Sequence, residues 1–292
     1  TTDLDLSGIS WNPIGTDGVN AFAGKFDGRN HTITGLSVTN TMGSEKPENA
    51  GVGFFGVVKD NAEIRNLNVS GKVESNSIVA GGIIGRIIGD GDVVIENCTT
   101  DVDVTSNNSA AGAVGLCWGN LGSSVTITDV HNTGAIKATG TGGNGEYSKD
   151  GKAGGIVGAL HSYWGRVKIE NCTNTAPISG GTAGTGGIVG YAGMNLTINN
   201  CENSGDIGSY VSKTAGGMIG RINSGTNIKM SGNTNSGDIT AYAQAGGILG
   251  STLYLYYETS GTDAVDFSDP EYTKDYYFSD NTNSGNITIE KA

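Results

Sequence analysis

Glycine–apolar–apolar–glycine returns along this chain at a nearly fixed interval, and few folds can carry such a pattern. The copies are Gly53-Phe54-Phe55-Gly56, Gly82-Ile83-Ile84-Gly85, Gly112-Ala113-Val114-Gly115, Gly155-Ile156-Val157-Gly158, Gly187-Ile188-Val189-Gly190, Gly217-Met218-Ile219-Gly220 and Gly247-Ile248-Leu249-Gly250. Their first glycines lie 29, 30, 43, 32, 30 and 30 residues apart. A period near 30 maintained through seven copies defines a repeat architecture, in which each unit buries its apolar face only against its neighbours.

The second half of each repeat is as regular as the first. Ile64, Ile95, Ile127, Ile169, Ile198, Met230 and Phe278 fall in one apolar column. Three residues on come Leu67, Cys98, Val130, Cys172, Cys201, Asn233 and Asn281; later still come Val73, Val104, Ile136, Ile178, Ile207, Ile239 and Ile287. An earlier, incomplete copy is visible in Ile33 and Leu36. Helical i, i+3, i+4 periodicity is missing, because Gly, Asn, Thr and Ser interrupt every apolar run. Short β-prone stretches such as Val93-Val94-Ile95 and Leu196-Thr197-Ile198 take its place. The expectation is an all-β, right-handed parallel β-helix of about eight coils. Each coil holds about three strands, and coils stack at roughly 4.8 Å into a rod about 40 Å long.

Identical residues one period apart then become neighbours. Asn132, Asn174, Asn203, Asn235 and Asn283 form one prospective amide ladder, and Asn97, Asn171 and Asn200 a second. Cys98, Cys172 and Cys201 share a column with Leu67 and Val130, which predicts small buried apolar residues. In-register Cβ vectors on adjacent coils disfavour the torsion of a Cys172–Cys201 disulfide, so free thiols are expected.

Composition removes several alternatives. Gly is abundant at 50 residues, but Pro is only 4 and no Gly-X-Y period exists, which excludes collagen. A net charge of −12 with 17 scattered basic residues argues against a nucleic-acid partner. No window approaches eighteen consecutive apolar residues, so this piece is not expected to insert in a membrane as a helix. The chain opens at Thr1 without a Met or signal-like stretch, which reads as a mature or trimmed fragment.

Taken in order, residues 1–32 are aromatic-rich and lack the repeat, which suits an N-terminal cap and lead-in. Residues 33–250 carry the repeats, interrupted by a Gly-rich excursion placed at Lys137–Ala153. Residues 251–292 insert Tyr254, Tyr256, Tyr257, Phe267, Tyr272, Tyr276 and Tyr277 before Phe278 resumes the column; they read as an aromatic C-terminal cap and final coil. Asp263, Asp266, Asp269 and Glu271 fit no EF-hand spacing and read as a solvated acidic turn. His31 reads as a surface residue, and neither a metal site nor a cofactor is expected.

The Gly-apolar-apolar-Gly core, its period, and the tail Asn200-Cys201-Glu202-Asn203-Ser204-Gly205-Asp206-Ile207 together resemble GLUG-motif repeats. Trp11-Asn12-Pro13-Ile14-Gly15 and Phe26-Asp27-Gly28-Arg29-Asn30-His31-Thr32-Ile33 resemble the lead-in that precedes such repeats. The resemblance covers nearly the whole chain. It implies a bacterial surface or secreted protein, adhesin-like in character. Similar repeats occur outside the catalytic part of immunoglobulin-A-cleaving metallopeptidases. It implies no catalytic residue.

One group of residues stands out as a candidate site. Cys117-Trp118, then His161, Tyr163 and Trp164, then Tyr191 follow the motif glycines of three successive coils. Projected outward, they would form an aromatic strip able to bind a host or environmental glycan or protein. The competing possibility is that they pack a side loop against the coils. The working expectation is a monomeric, non-enzymatic, extracellular or cell-surface adhesive or display module. The alternative is a carbohydrate-active β-helix enzyme, a polysaccharide lyase or glycosidase, for which Asp206 and Asp238 are the nearest pair of carboxylates. Arg86 and Arg221 share a column but stand four coils apart, too far to act on one bond.

Overall fold

A computed structural model describes residues 2–40, 50–76, 78–119, 122–142, 150–208, 211–223, 226–252 and 276–290. Among them there is no helix, and the strands pair only in parallel, as a 25-stranded and a seven-stranded sheet. This is a parallel β-solenoid of about seven turns. The Ile33/Leu36 copy joins the large sheet, with Val38 in register with Val73. The small sheet contributes only seven strands, which is why the sequence-based count of eight coils exceeds the number of full turns.

The motif glycines have a steric cause. Each strand of the small sheet, Lys152–Gly154 or Gly184–Gly186 for example, ends just before a Gly-apolar-apolar-Gly copy, and the chain then turns back alongside it. A Cβ on Gly85 would stand 2.1 Å from the Val52 amide nitrogen. On Gly190 it would stand 2.6 Å from the Ala153 carbonyl oxygen. Only hydrogen fits between the returning strand and the small sheet of the preceding coil.

Inside, like stacks on like. Register partners run Phe26, Ile64, Ile95, Ile127, Ile169, Ile198, Met230 and Phe278, the predicted column extended by one residue. The Val73-to-Ile287 column is also continuous. Burying each such side chain stabilises the stack by roughly 1.5–3 kcal/mol. All four cysteines are buried and free. Desolvation pushes the Cys98 thiol up to about 11 and Cys117 up to about 12, so they behave as small apolar residues.

Asn132, Asn174, Asn203, Asn235 and Asn283 form an unbroken ladder. Each Nδ2 donates to the Oδ1 of the next rung at 2.7 Å. The same amides also donate to a backbone carbonyl two residues on, as Asn203 does to Gly205 at 2.8 Å. The second expected ladder does not form between Asn171 and Asn200. Those residues and Asn97 sit at φ 52°, the left-handed region, as do Asn66 and Asp129, and Gly232 takes the same corner at φ 66°. That column of Asn, Asp and Gly answers a backbone demand, because these residues reach positive φ at least cost. The amide-to-amide bonds present there are donated by Asn97, to Asn66 at 2.7 Å and to Asn30 at 3.2 Å.

The N-terminal residues are woven into the stack. Lys25–Asp27 pairs with Glu63–Arg65, and Leu4–Asp5 with the strand Thr32–Asn40. Trp11 stacks flat on Phe54 at 4.9 Å and donates its indole N–H to the Phe54 carbonyl. His31 is a surface residue whose Nδ1 lies 3.2 Å from the Asp3 carboxylate. The excursion placed at Lys137–Ala153 is shorter than expected. Ile136–Ala138 and Lys152–Gly154 are strands, and Lys152 is buried in the small sheet.

At the other end, Tyr276–Ser279 resumes the column as expected, yet Phe278 and Ile287 are 42% and 46% exposed because no described coil follows. Tyr254, Tyr256, Tyr257, Phe267, Tyr272 and the acidic run Asp263–Glu271 lie outside the described residues.

Candidate functional site

The strands Val114–Gly119, Val157–Glu170 and Val189–Asn199 lie side by side in the large sheet. Alternation sends Cys117, Leu160 and Ala192 into the core, where they are register partners. Trp118, His161 and Tyr191 belong to the opposite, outer phase. Cys117, adjacent to Trp118 in the sequence motif, is therefore a core residue rather than part of any strip.

The three outer rings form a continuous stack. Trp118 and His161 lie 5.9 Å apart at an interplanar angle of 10°, and His161 and Tyr191 lie 5.0 Å apart at 25°. All three are half-buried. His161 is opposite Gly193 rather than Tyr191 in the strand register, and Tyr191 leans across to meet it. A Cβ on Gly193 would stand 3.1 Å from the Tyr191 ring and 2.7 Å from the Leu160 carbonyl, so the stack requires glycine there. Tyr191 packs in turn against Val79, Leu116 and Ala159, a small apolar cluster on the outer side. Tyr163 and Trp164 lie on the strand Val157–Glu170, but their side chains are outside the described residues.

Around this stack are cations that the sequence motif did not reveal. The Lys152 ammonium sits 5.7 Å from the Tyr191 ring centre and 2.5 Å from the Asp150 carboxylate. Burial lowers the Lys152 ammonium's proton affinity; Asp150 opposes that shift, and Arg221 adds to it. Arg86 is buried one coil above Leu116. His161 is accordingly held neutral: burial first, then the charges of Lys152 and Arg86, push it down to about 3. Its Nε2 has no hydrogen-bond partner among the described residues.

That arrangement sets a pH dependence. A histidine whose folded pKa is depressed contributes nothing adverse above about 6.5, and costs stability progressively as pH falls from there toward its folded value. Between pH 7 and pH 4, His161→Phe should lose about 1–3 kcal/mol less stability than the parent chain. Chemical denaturation at the two pH values measures this; equal losses would mean that His161 protonates freely in the fold.

The carboxylates considered for an enzyme are occupied in holding coils together. Asp206 accepts the backbone N–H of Asp238 at 3.1 Å, and Asp238 accepts that of Asn286 at 2.8 Å. Asp103 does the same for Ala135. Among the described residues no three His, Cys, Asp or Glu side chains converge as a metal site.

No family model matches the chain. Over 105 residues it is 33% identical to a protein of Evansella cellulosilytica provisionally named a Gly-rich membrane protein, covering 35% of this chain and 11% of that one. Over 126 residues it is 32% identical to Halomucin of Haloquadratum walsbyi, covering 39% of this chain and 1% of that one. The chain thus spans a small fraction of the curated relatives it matches. Among solved structures it is similar to a protein of Bacteroides ovatus provisionally assigned as an immunoglobulin A1 protease. The TM-score is 0.57 at 21% identity, covering 99% of this chain and 76% of that one. At that identity the likeness shows the fold, a β-helix repeat protein.

Proposed function

We propose that this chain is a non-enzymatic module of GLUG-type repeats, extracellular or on a cell surface, whose rigid coils hold an aromatic strip for attachment to a glycan. In this reading residues 1–32 and 251–292 serve as the ends of the rod. The observation that carries the proposal is the stack of Trp118, His161 and Tyr191 across three adjacent coils, outside the core. Such faces suit the apolar side of a sugar ring, and a rigid sheet presents them with little ordering cost on binding. The names of the relatives support the surface assignment, since one is called a membrane protein and the other a mucin. The repeat pattern and the lead-in around Phe26 support the GLUG reading. Tyr163 and Trp164 are assigned to the same strip from their sequence position.

A glycan array followed by titration of the best binder tests this reading. Trp118→Ala should weaken attachment about tenfold, the loss of one stacking face, while the thermal melt stays nearly unchanged. Trp164→Ala should behave alike. A drop of several kcal/mol in stability with either variant would mean that the ring is structural and the strip does not exist. Attachment to a host protein with no glycan bound would replace the sugar by a peptide.

A further inference from the structure

One coil beyond Tyr191 the surface changes character. Arg221 is the register partner of Tyr191 on the next strand, so it continues the line of the strip. It lies in a groove of about 450 Å³ with Lys213, Thr182, Thr214, Gln244 and Asp150. The groove has a sequence cause. Ser109, Lys152 and Gly184 are register partners in the small sheet, and Gly184 alone among them carries no side chain. A Cβ there would stand 3.1 Å from the Arg221 Cβ, so the glycine lets Arg221 lie across its coil.

The charges are arranged unevenly. Asp150 is already engaged by Lys152 at 2.5 Å. Lys213 is exposed and Arg221 half-buried, and among the described residues neither forms an ion pair. The groove thus gathers two cations beside one carboxylate that is already paired, in a chain of net charge −12. A guanidinium offers a planar fork that matches a carboxylate or sulfate, and a lysine adds a mobile point charge. Thr182 and Thr214 donate their hydroxyls to the Asp150 and Ala183 carbonyls, which leaves the hydroxyl oxygens as acceptors, and the exposed Gln244 adds an amide donor and acceptor, the chemistry that recognises sugar hydroxyls.

We propose that this groove is an anion subsite, in which Arg221 and Lys213 hold the carboxylate or sulfate of an acidic glycan whose ring faces lie along Trp118, His161 and Tyr191. The inference rests on the reading of the strip as a sugar surface and names the class of sugar. Titration of the whole chain with polygalacturonate, dextran sulfate and neutral dextran at fixed ionic strength tests it, and separates carboxylate from sulfate. At least one acidic polymer should bind more tightly than dextran. The double variant Arg221→Gln/Lys213→Gln should lower that affinity about tenfold or more, as expected when charge-assisted hydrogen bonds are lost, and abolish the preference over dextran. The control Lys168→Gln/Lys229→Gln, which removes the same two positive charges elsewhere on the surface, should change nothing. Acidic polymers that bind no better than dextran, or an Arg221→Gln/Lys213→Gln variant that behaves like this control, would overturn the subsite. Trp118→Ala separates the two readings. If it weakens dextran binding while the acidic polymers gain nothing, the strip stands and the groove falls. If it leaves acidic binding intact while the double variant removes it, the groove stands and the strip falls.

Discussion

Asn203→Ala should destabilise the protein by about 3–5 kcal/mol, far more than its small change in volume suggests. Asn203 is buried, accepts from Asn174 and donates to Asn235 at 2.7 Å each, and donates to the Gly205 carbonyl. Truncation leaves a donor on Asn174 and acceptors on Asn235 and Gly205 without partners, each costing about 1–3 kcal/mol. Asn203→Asp keeps the shape but turns a carboxylate oxygen toward the Asn235 carbonyl oxygen, where no proton is available. That side chain will resist ionising, so its folded pKa is raised; the variant should be weakest at neutral pH and recover relative to the parent as pH falls toward 4. Three positions earlier the rule reverses. Asn200 is an exposed corner residue at φ 52°, and Asn200→Gly should be nearly neutral. Urea melts of the three variants check the whole set; an Asn203→Ala variant as stable as Asn200→Gly would show that the ladder contributes nothing.

Ile198→Asp should abolish the cooperative melt or shift it far down. Ile198 is fully buried between Ile169 and Met230, its register partners, with apolar neighbours along the column. A carboxylate there has neither water nor a cation, a cost of several kcal/mol that neutralising the group only partly relieves. Ile198→Val provides the scale, with an expected loss of about 0.5–1.5 kcal/mol for one methylene. A melting temperature for Ile198→Asp within a few degrees of the parent would mean that the column faces solvent.

Much of the fold was legible because stacking converts sequence period into contact. Ile64 and Ile95 touch for the same reason that they occupy equivalent places in their repeats. The Asn132–Asn283 ladder was legible likewise, since identical amides one coil apart have one natural way to pair. The second Asn column misled because identity alone does not report backbone conformation; Asp129 and Gly232 in the same corner were the available signal. Residues 1–32 lack the motif glycines, yet Phe26 belongs to the core column, so the first coils are built by the aromatic segment as much as covered by it.

The site was legible only in part. Trp118 and His161 could be found because each lies three residues past its last motif glycine; Tyr191 lies one past Gly190, and only the structure shows it leaning across to meet His161. Their contact also depends on Gly193, whose importance is the space it leaves vacant. Lys152 was hidden by the long excursion before it, which placed a buried strand residue inside an expected loop. Lys213 lies in the bend before the small-sheet strand Thr214–Gly216 and Arg221 in the large sheet, and they line one groove only because the chain turns between them, which no column of equivalent positions could reveal.

The asparagine ladder is also directional. Every rung donates toward the C-terminal end and accepts from the N-terminal side, so the amide dipoles align head to tail and reinforce one another. Such a row has unlike ends, a minus end and a plus end in the sense of a polymer. At the minus end the Asn132 carbonyl oxygen is buried without a partner among the described residues, beside a Thr100 hydroxyl in the same condition. At the plus end Asn283 is exposed and has an amide proton to spare beyond its bond to Gly285. An added coil carrying asparagine would therefore find a waiting donor at one end of the row and a closed, buried acceptor at the other. The coils continue on both sides of Asn132, but the amide row can grow only from its Asn283 end.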